Sequence, residues 1–363
     1  MLRVEPLDGG HLFERLREPW KSLVEDSSTA TPFQTYEWQS TWFETLGGGK
    51  HPRVVCVYEG NDLVGLMPFV KCHGLWRTLR PMGIGPSDYL HPVARDGYEE
   101  PVAAQLAEAI RGMKDIDLVD LHQIRETRSL ADRFGHDTSV HQATCLVLDL
   151  PETYDAYLAM LGKSLRYDVR KLDKSLFQSG RAHIVDPAPG ELDQAFGQFL
   201  ELHKARWKKR GLPGAFFGAN VRFQRRWLPL AEKNGWLRLR ILSLDGKPIG
   251  AIYALAMHGT TYYYQAGFNP GEGSISPGTL LVAQTIRRSI EEGIKRFDFM
   301  RGDEPYKRRW KPQHCYDNRR VVFASGSWRG SLGVSWNSWA NRVELRMRAR
   351  LEGGGSPKGL GSL

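Results

Sequence analysis

One supersecondary plan occurs twice in this chain, and any fold that serves one copy must serve both. Residues 53–58 and 63–70 read as strands joined by the turn Glu59-Gly-Asn-Asp. A third extended segment, a helix near 100–111 and a strand at 116–121 follow. The order recurs later, with strands at 236–244, 249–257 and 261–267, a loop, a helix near 277–292 and a strand at 296–300. Gly65 and Gly250 stand 185 positions apart, and Asp117 and Asp298 stand 181 apart, so the landmarks keep nearly constant offsets. An antiparallel meander followed by a helix that crosses to a further strand makes a mixed sheet with helices on its faces. The expected fold class is therefore α/β (α+β), with the domain duplicated in tandem.

With 363 residues the chain has room for two such domains. The expected division is 1–150 and 151–325, parting just after the apolar strand 144–150. Helical stretches at 154–178 and 191–209 open the second domain. In 326–352, Trp336, Trp339, Val343 and Met347 recur at helical spacing, with Arg342, Arg346, Arg348 and Arg350 on the remaining surface. This amphipathic helix either docks on the body or meets anionic lipid at the inner membrane surface as a peripheral contact. Gly-rich residues 353–363 read as a flexible tail.

Composition narrows the function classes. Hydrophobic residues at 41% supply a full core, and a net charge of +9 favours anionic partners. Cys56, Cys72, Cys145 and Cys315 form no C-x-x-C pair and the histidines no H-E-x-x-H, so no metal is expected and a reducing cytoplasm fits best. No stretch approaches the roughly 18 apolar residues that span a bilayer.

The loop Asn269-Pro-Gly-Glu-Gly-Ser-Ile-Ser-Pro-Gly-Thr joins an aromatic strand to a helix. Free backbone N–H groups and the positive end of a helix dipole meet at such a junction, and glycines let an anion approach. Gly273, Ser276, Pro277, Gly278 and Thr279 are the expected pyrophosphate cradle. The plainer reading is that Ser276 caps the helix and Pro277 fills its first turn.

The strand–strand–strand–loop–helix–strand order resembles the coenzyme A core of the GNAT superfamily of N-acyltransferases. The segment Phe297-Asp-Phe-Met-Arg-Gly-Asp-Glu-Pro-Tyr-Lys-Arg-Arg-Trp resembles more specifically the CelD-like (cellulose biosynthesis) acyltransferases, tandem GNAT proteins related to the Fem peptidyltransferases. Thr31-Pro-Phe-Gln-Thr-Tyr-Glu-Trp and Leu202-His-Lys-Ala-Arg-Trp share that resemblance. It covers most of residues 1–325 and implies acyl-CoA as co-substrate, with Gln265 and Ala266 lending backbone groups to its pantetheine arm. The usual loop, Arg/Gln-x-x-Gly-x-Gly/Ala, is matched here only at its last small position, Gly278. The first copy, with Met82-Gly-Ile-Gly-Pro-Ser-Asp-Tyr, departs further and is expected to have lost donor binding, leaving Asp88 and Tyr89 to the acceptor cleft.

Acyl transfer to an amine needs a base, an oxyanion partner and an acid for the leaving group. Asp298, in an apolar strand, is a candidate base, or else a structural acceptor of hydrogen bonds like Asp117. Asp303 and Glu304 follow the end of that strand and are the next candidates. Tyr306 is the candidate proton donor to a thiolate, with packing at the sheet edge as the rival reading. Arg301 and Lys307 are expected to hold phosphate or an anionic acceptor. His203, Arg206 and Trp207 share a helix and are acceptor candidates, although a core position is the leading reading of Trp207. Lys163, Arg166, Arg170, Lys171 and Lys174 give one basic face, either solvated or a surface for an anionic polymer or an RNA-bearing donor.

The leading expectation is an acyltransferase that moves an acyl group from acyl-CoA directly to an amine or hydroxyl of a sugar, glycan precursor or amino acid, in polysaccharide or cell-envelope biosynthesis. Two alternatives stand beside it. One is a Fem-like aminoacyltransferase drawing on aminoacyl-tRNA, and the other is a non-catalytic scaffold of a membrane-associated polysaccharide synthesis complex.

Overall fold

The computed structural model describes every residue except 126–129, 135–138, 210, 212–213, 326–327 and 335–363, and the backbone alone of Gly273 and Ser274. The expected amphipathic helix around 336–351 and the tail lie outside the described residues. Two compact units form: Met1–Thr144 with Tyr316–Leu363, and Cys145–Cys315.

In the first unit, β1 (Leu2–Asp8) leads into helices α1 (Leu12–Glu25) and α2 (Tyr36–Leu46). The meander β2 (His51–Glu59), β3 (Asp62–Cys72) and β4 (Thr78–Pro81) follows, then the short β5 (Val93–Ala94), α3 (Glu99–Arg111), β6 (Leu118–Arg125) and β7 (Ser139–Asp149). β1 to β4 pair antiparallel in succession, and β4 pairs parallel with β6 through Thr78↔Leu118 and Leu79↔Val119. After α4 (Tyr154–Met160) and α5 (Lys163–Leu172), the second unit repeats this order. It runs β8 (Ala182–Val185), α6 (Leu192–Lys208), α7 (Ala219–Lys233), β9 (Leu237–Leu244), β10 (Lys247–Met257), β11 (Thr260–Phe268), α8 (Pro277–Glu291) and β12 (Arg296–Arg301). A single-turn α9 (Pro305–Arg308) ends it, and β13 (His314–Ala324) follows. The repeat therefore reaches back through a leading strand and two helices, beyond the part visible as strand spacing.

The units part at 144 and 315 rather than at 150 and 325, and hydrogen bonding is the cause. Cys145–Asp149 of β7 pair with β12 (Asp149↔Arg296, Phe297↔Leu148), whereas β13 pairs with β6 (Ala324↔Leu118, Val321↔Leu121). The chain thus returns to its first unit after completing the second.

Gly65 and Gly250 owe their regular offset to one shared geometry. Each adjoins an irregularity in the pairing of its meander. A Cβ on Gly65 would lie 2.4 Å from Val102 of α3, and one on Gly250 would lie 3.1 Å from Leu281 of α8. A side chain at Gly65 would collide with the crossing helix, and one at Gly250 would press on it through Leu281. The aspartates behave differently. Asp298 is the third residue of β12 and pairs with the third position of a parallel contact, Tyr262↔Asp298. Its positional counterpart on β6 is Asp120, not Asp117, because residues 112–117 make a longer approach to β6 than 292–295 make to β12.

Each crossing helix buries its apolar stripe on its own sheet. In the first unit Val102, Leu106 and Ile110 meet Val55, Met67 and Phe69. In the second, Leu280, Ala283 and Ile286 of α8 pack with Ile252, Tyr263 and Phe297, and with Leu158, Leu165 and Val169 of α4 and α5. Each fully enclosed aliphatic side chain contributes about 1.5–3 kcal/mol. α6 buries Leu192, Ala195, Phe196, Phe199, Leu202 and His203, an i, i+3, i+4, i+7 stripe laid against β10 and β11. Among the described residues no helix is long and apolar enough to cross a membrane.

Candidate active site

An opening forms within the second unit where two parallel strands part. β11 and β12 pair only through Thr260↔Arg296, Thr261↔Phe297 and Tyr262↔Asp298. Beyond that point β11 stays with β10 as far as Phe268↔Gly250, while β12 follows β7 through an irregularity to Arg301↔Cys145. Residues 263–268 are thereby freed from β12. The Ala266 carbonyl, however, already accepts a hydrogen bond from Arg206 Nη1 at 2.8 Å.

The chain leaves β11 through a 3-10 turn, Pro270–Ile275, and enters α8. Ser276 does not cap that helix with its hydroxyl. It adopts a left-handed conformation (φ 47°), and its carbonyl receives the N–H groups of Thr279 (2.9 Å) and Leu280 (3.2 Å). Ser276 is therefore the corner, and the expected side-chain cap is absent. Pro277 occupies the first turn without an N–H to satisfy. A Cβ on Gly278 would sit 3.3 Å from the Phe268 ring, so a side chain there presses on that ring. The first turn of α8 carries no acidic side chain.

The far side of the opening is held by a tight polar network. Asp298 is 1% exposed, and its Oδ1 accepts the Met300 N–H at 2.7 Å. This clamps Met300 in a left-handed conformation (φ 62°), strained for a side chain with a Cβ. Lys307, 3% exposed, donates from Nζ to the carbonyls of Arg301 (2.6 Å) and Gly302 (3.0 Å) and pairs with Glu304 at 2.9 Å. Its three protons are committed, so the expectation that Lys307 holds phosphate is corrected: it fixes the bend after β12. Asp298 is engaged as the structural acceptor considered from sequence. Asp303 forms a fork with Arg308, both contacts at 2.5 Å, so both of its carboxylate oxygens are engaged.

Tyr263, on the freed stretch of β11, joins several candidates. Burial pushes its phenol well above its usual value, and Tyr306 adds to this; the Arg206 and Lys307 cations oppose the shift, and Glu304 reinforces it. Tyr263, Tyr306, Arg206, Lys307 and Glu304 thus share one neighbourhood, with Arg301 at the end of β12 beside it. Sequence reasoning passed over Tyr263 because Tyr262, Tyr263 and Tyr264 are consecutive and all buried, so no alternation singles one out. The half-buried Arg206 guanidinium also lies 5.1 Å from the Phe268 ring and 5.9 Å from Trp207.

His203 is 2% exposed in a nest of Phe199, Phe216 and Trp207, with ring centroids 4.9–5.9 Å away. Burial, with Arg206 nearby, lowers its pKa to about 4, against an opposing hydrogen bond to Gln265. It is a neutral, enclosed ring rather than a surface ligand. α6 comes this close because Gly267 has no side chain: a Cβ there would lie 2.3 Å from the His203 backbone nitrogen.

In the first unit the equivalent parting of β4 and β6 looks different. Asp120, 0% exposed, pairs with Arg80 at 3.2 Å, Arg320 at 2.7 Å and His122 at 3.0 Å. The Arg80–Asp120 pair spans the two strands where they diverge. Helix α3 begins Glu99-Glu100, placing two carboxylates where α8 has none. Tyr89 is fully enclosed, 6.3 Å from the Phe33 ring and 4.9 Å from the Arg125 guanidinium, which makes it a core residue. Asp88 is 6% exposed, and its carbonyl accepts from Asn318 Nδ2 at 2.6 Å. The Thr31–Trp38 stretch also works locally: Thr31 and Gln34 form a capping box, and Trp38 Nε1 donates to Ser87.

Among the described residues no cluster of His, Cys, Asp and Glu side chains is placed to hold a metal ion. A family model described as "Acetyltransferase (GNAT) domain" matches residues 163–308. No curated protein matches the chain in sequence. Among solved structures, FemX is similar with a TM-score of 0.61 at 10% identity, covering 86% of this chain and 96% of its own. A conserved protein of unknown function from Bacteroides thetaiotaomicron is similar with a TM-score of 0.51 at 11% identity, covering 85% and 97%. At such identities the likeness is one of fold.

Proposed function

From the premise that residues 163–308 are an acetyltransferase domain of the GNAT type, and the chain an acyltransferase, we propose that it transfers an acyl group from acyl-CoA to an amine or hydroxyl. The acceptor is a sugar, glycan precursor or amino acid, and the CelD-like resemblance points to polysaccharide or envelope synthesis. The supporting observation is the acid-free first turn of α8 beside the opening of β11 from β12. The positive end of the helix dipole favours a pyrophosphate there, and the edge of β11 freed from β12 offers backbone groups to an extended pantetheine arm. The first unit lacks both features: Glu99 and Glu100 repel an anion, and Arg80–Asp120 crosses its opening. Donor binding therefore belongs to the second unit.

Acyl-CoA supplies an activated thioester; the chain supplies position and proton transfer. Glu304 takes the proton from the acceptor nitrogen or oxygen, and Tyr306 gives one to the departing sulfur. Arg206 and Arg301 flank them as cations for the developing negative charge. Asp298 and Lys307 do not touch the reacting atoms; they hold the end of β12 that carries Glu304 and Tyr306.

The test is the thermal midpoint of the protein alone and with CoA, acetyl-CoA and longer acyl-CoAs, in the parent and in Gly278→Glu. Ligand at 100 times its dissociation constant contributes about 2.7 kcal/mol to stability. We expect a rise in the parent and none in the variant, whose side chain meets Phe268 and carries a like charge to the phosphate. If the folded parent responds to no CoA species, the reading fails, and an aminoacyl-tRNA donor is next in line.

A further inference from the structure

Helix α5 divides its surface in two. Leu165 and Val169 are buried against the core of the second unit. On the opposite side Lys163, Arg166, Arg170 and Lys171 fall within an arc of about 140° at 3.6 residues per turn. Tyr167, 65% exposed, stands near the middle of that arc. Lys174 extends the basic run into the π-helical turn Asp173–Phe177. None of these five cations has an acidic partner among the described residues, although cations elsewhere on the unit do: Arg181 with Asp245, Arg225 with Asp193, Arg238 with Glu292 and Arg308 with Asp303. Asp168, the acid within α5, falls outside the arc and is turned to Arg309, 3.7 Å away.

We propose that this face of α5 is a docking surface for an anionic lipid bilayer. Unpaired cations on a solvated helix repel one another, and a negatively charged partner removes that repulsion. The form of the surface selects the partner. A single convex stripe, about 15 Å long for ten residues, touches a plane along its whole length. Among the described residues no hydrogen bond fixes these guanidinium and ammonium groups in the geometry that bidentate phosphate recognition requires. They act as point charges towards a diffuse sheet of charge. An exposed tyrosine among them has an apolar ring and a polar tip, the form that settles at headgroup level. The apolar side of α5 is committed to the protein core, so contact is peripheral, without insertion of the helix. The inference does not depend on the proposed acyl donor.

The test is cosedimentation of the full chain with vesicles of phosphatidylcholine alone and with a minority of phosphatidylglycerol, at near-physiological and at high salt. Variants are Arg166→Gln/Arg170→Gln/Lys171→Gln, Tyr167→Ser, and Arg342→Gln/Arg346→Gln/Arg348→Gln/Arg350→Gln. We expect binding only to the anionic vesicles, weakened at least about tenfold in the triple α5 variant. Tyr167→Ser should weaken it several-fold at either salt, and the 342–350 variant should keep it. Melting midpoints confirm folding, since every replaced α5 side chain is at least partly exposed. Equal binding to neutral vesicles, an unaffected α5 variant, or loss confined to the 342–350 variant overturns the proposal. So does displacement of the vesicles by transfer RNA that binds more tightly through the same α5 residues, which identifies a nucleic-acid surface instead.

Discussion

Lys307 and Asp298 show how a residue's type can be legible while its task is not. An aspartate in an apolar strand and a lysine in a basic run suggest a base and a phosphate ligand. Both are consumed in holding one bend, because a strained Met300 and the outward carbonyls of Arg301 and Gly302 need partners. Lys307→Met should cost about 1–3 kcal/mol in urea unfolding, since it leaves buried acceptors unsatisfied. Loss of less than half that would show that water replaces the ammonium. Histidine titration gives a second prediction. His203 and, in the first unit, His91 are both lowered to about 4 by burial, aided by Arg206 and Arg125 respectively. The unfolded chain, titrating near 6.5, then binds more protons between these values, so stability falls as pH drops from about 6.5 to about 4. His203→Phe should flatten that slope by one proton; an unchanged slope would mean the ring is already charged in the folded state.

At the scale of elements, the meander and its crossing helix were readable because alternation, Gly turns and the Gly65/Gly250 landmark recur with them. The two leading helices of each copy were not recognised as part of the repeat, since their apolar stripes carry different residues: Trp20, Trp38 and Trp42 in one unit, Phe196, Phe199 and Trp227 in the other. The offset pairing Asp117 with Asp298 misled for a related reason, because connecting loops change length while strand registers do not. Gly267 was likewise invisible as a contact point. Gly267→Ala should cost about 3 kcal/mol, the upper end of overpacking, because its methyl meets the backbone of α6 rather than a movable side chain. Gly48→Ala, with open space around it, is the control expected to be neutral within about 0.5 kcal/mol. Equal effects would mean α6 can shift on β11 freely.

For the whole chain, a duplicated fold was evident from sequence, but the path between units was not, because pairing between strands far apart leaves no local pattern. Residues 145–315 are one continuous stretch and should fold as a fragment with a cooperative melt, whereas 1–144 lacks the β13 partner of β6. The latter fragment should therefore aggregate, and adding a peptide spanning 314–334 should improve its recovery. A well-folded 1–144 fragment would show that β6 tolerates an open edge. That same return of β13 bears on synthesis at the ribosome. Translation must deliver the entire second unit before the last strand of the first exists, so the older half of the chain waits incomplete, with one edge of β6 open, while the younger half can already close. Chaperone dependence and the consequences of premature termination should therefore fall on the N-terminal residues, the part made first and finished last.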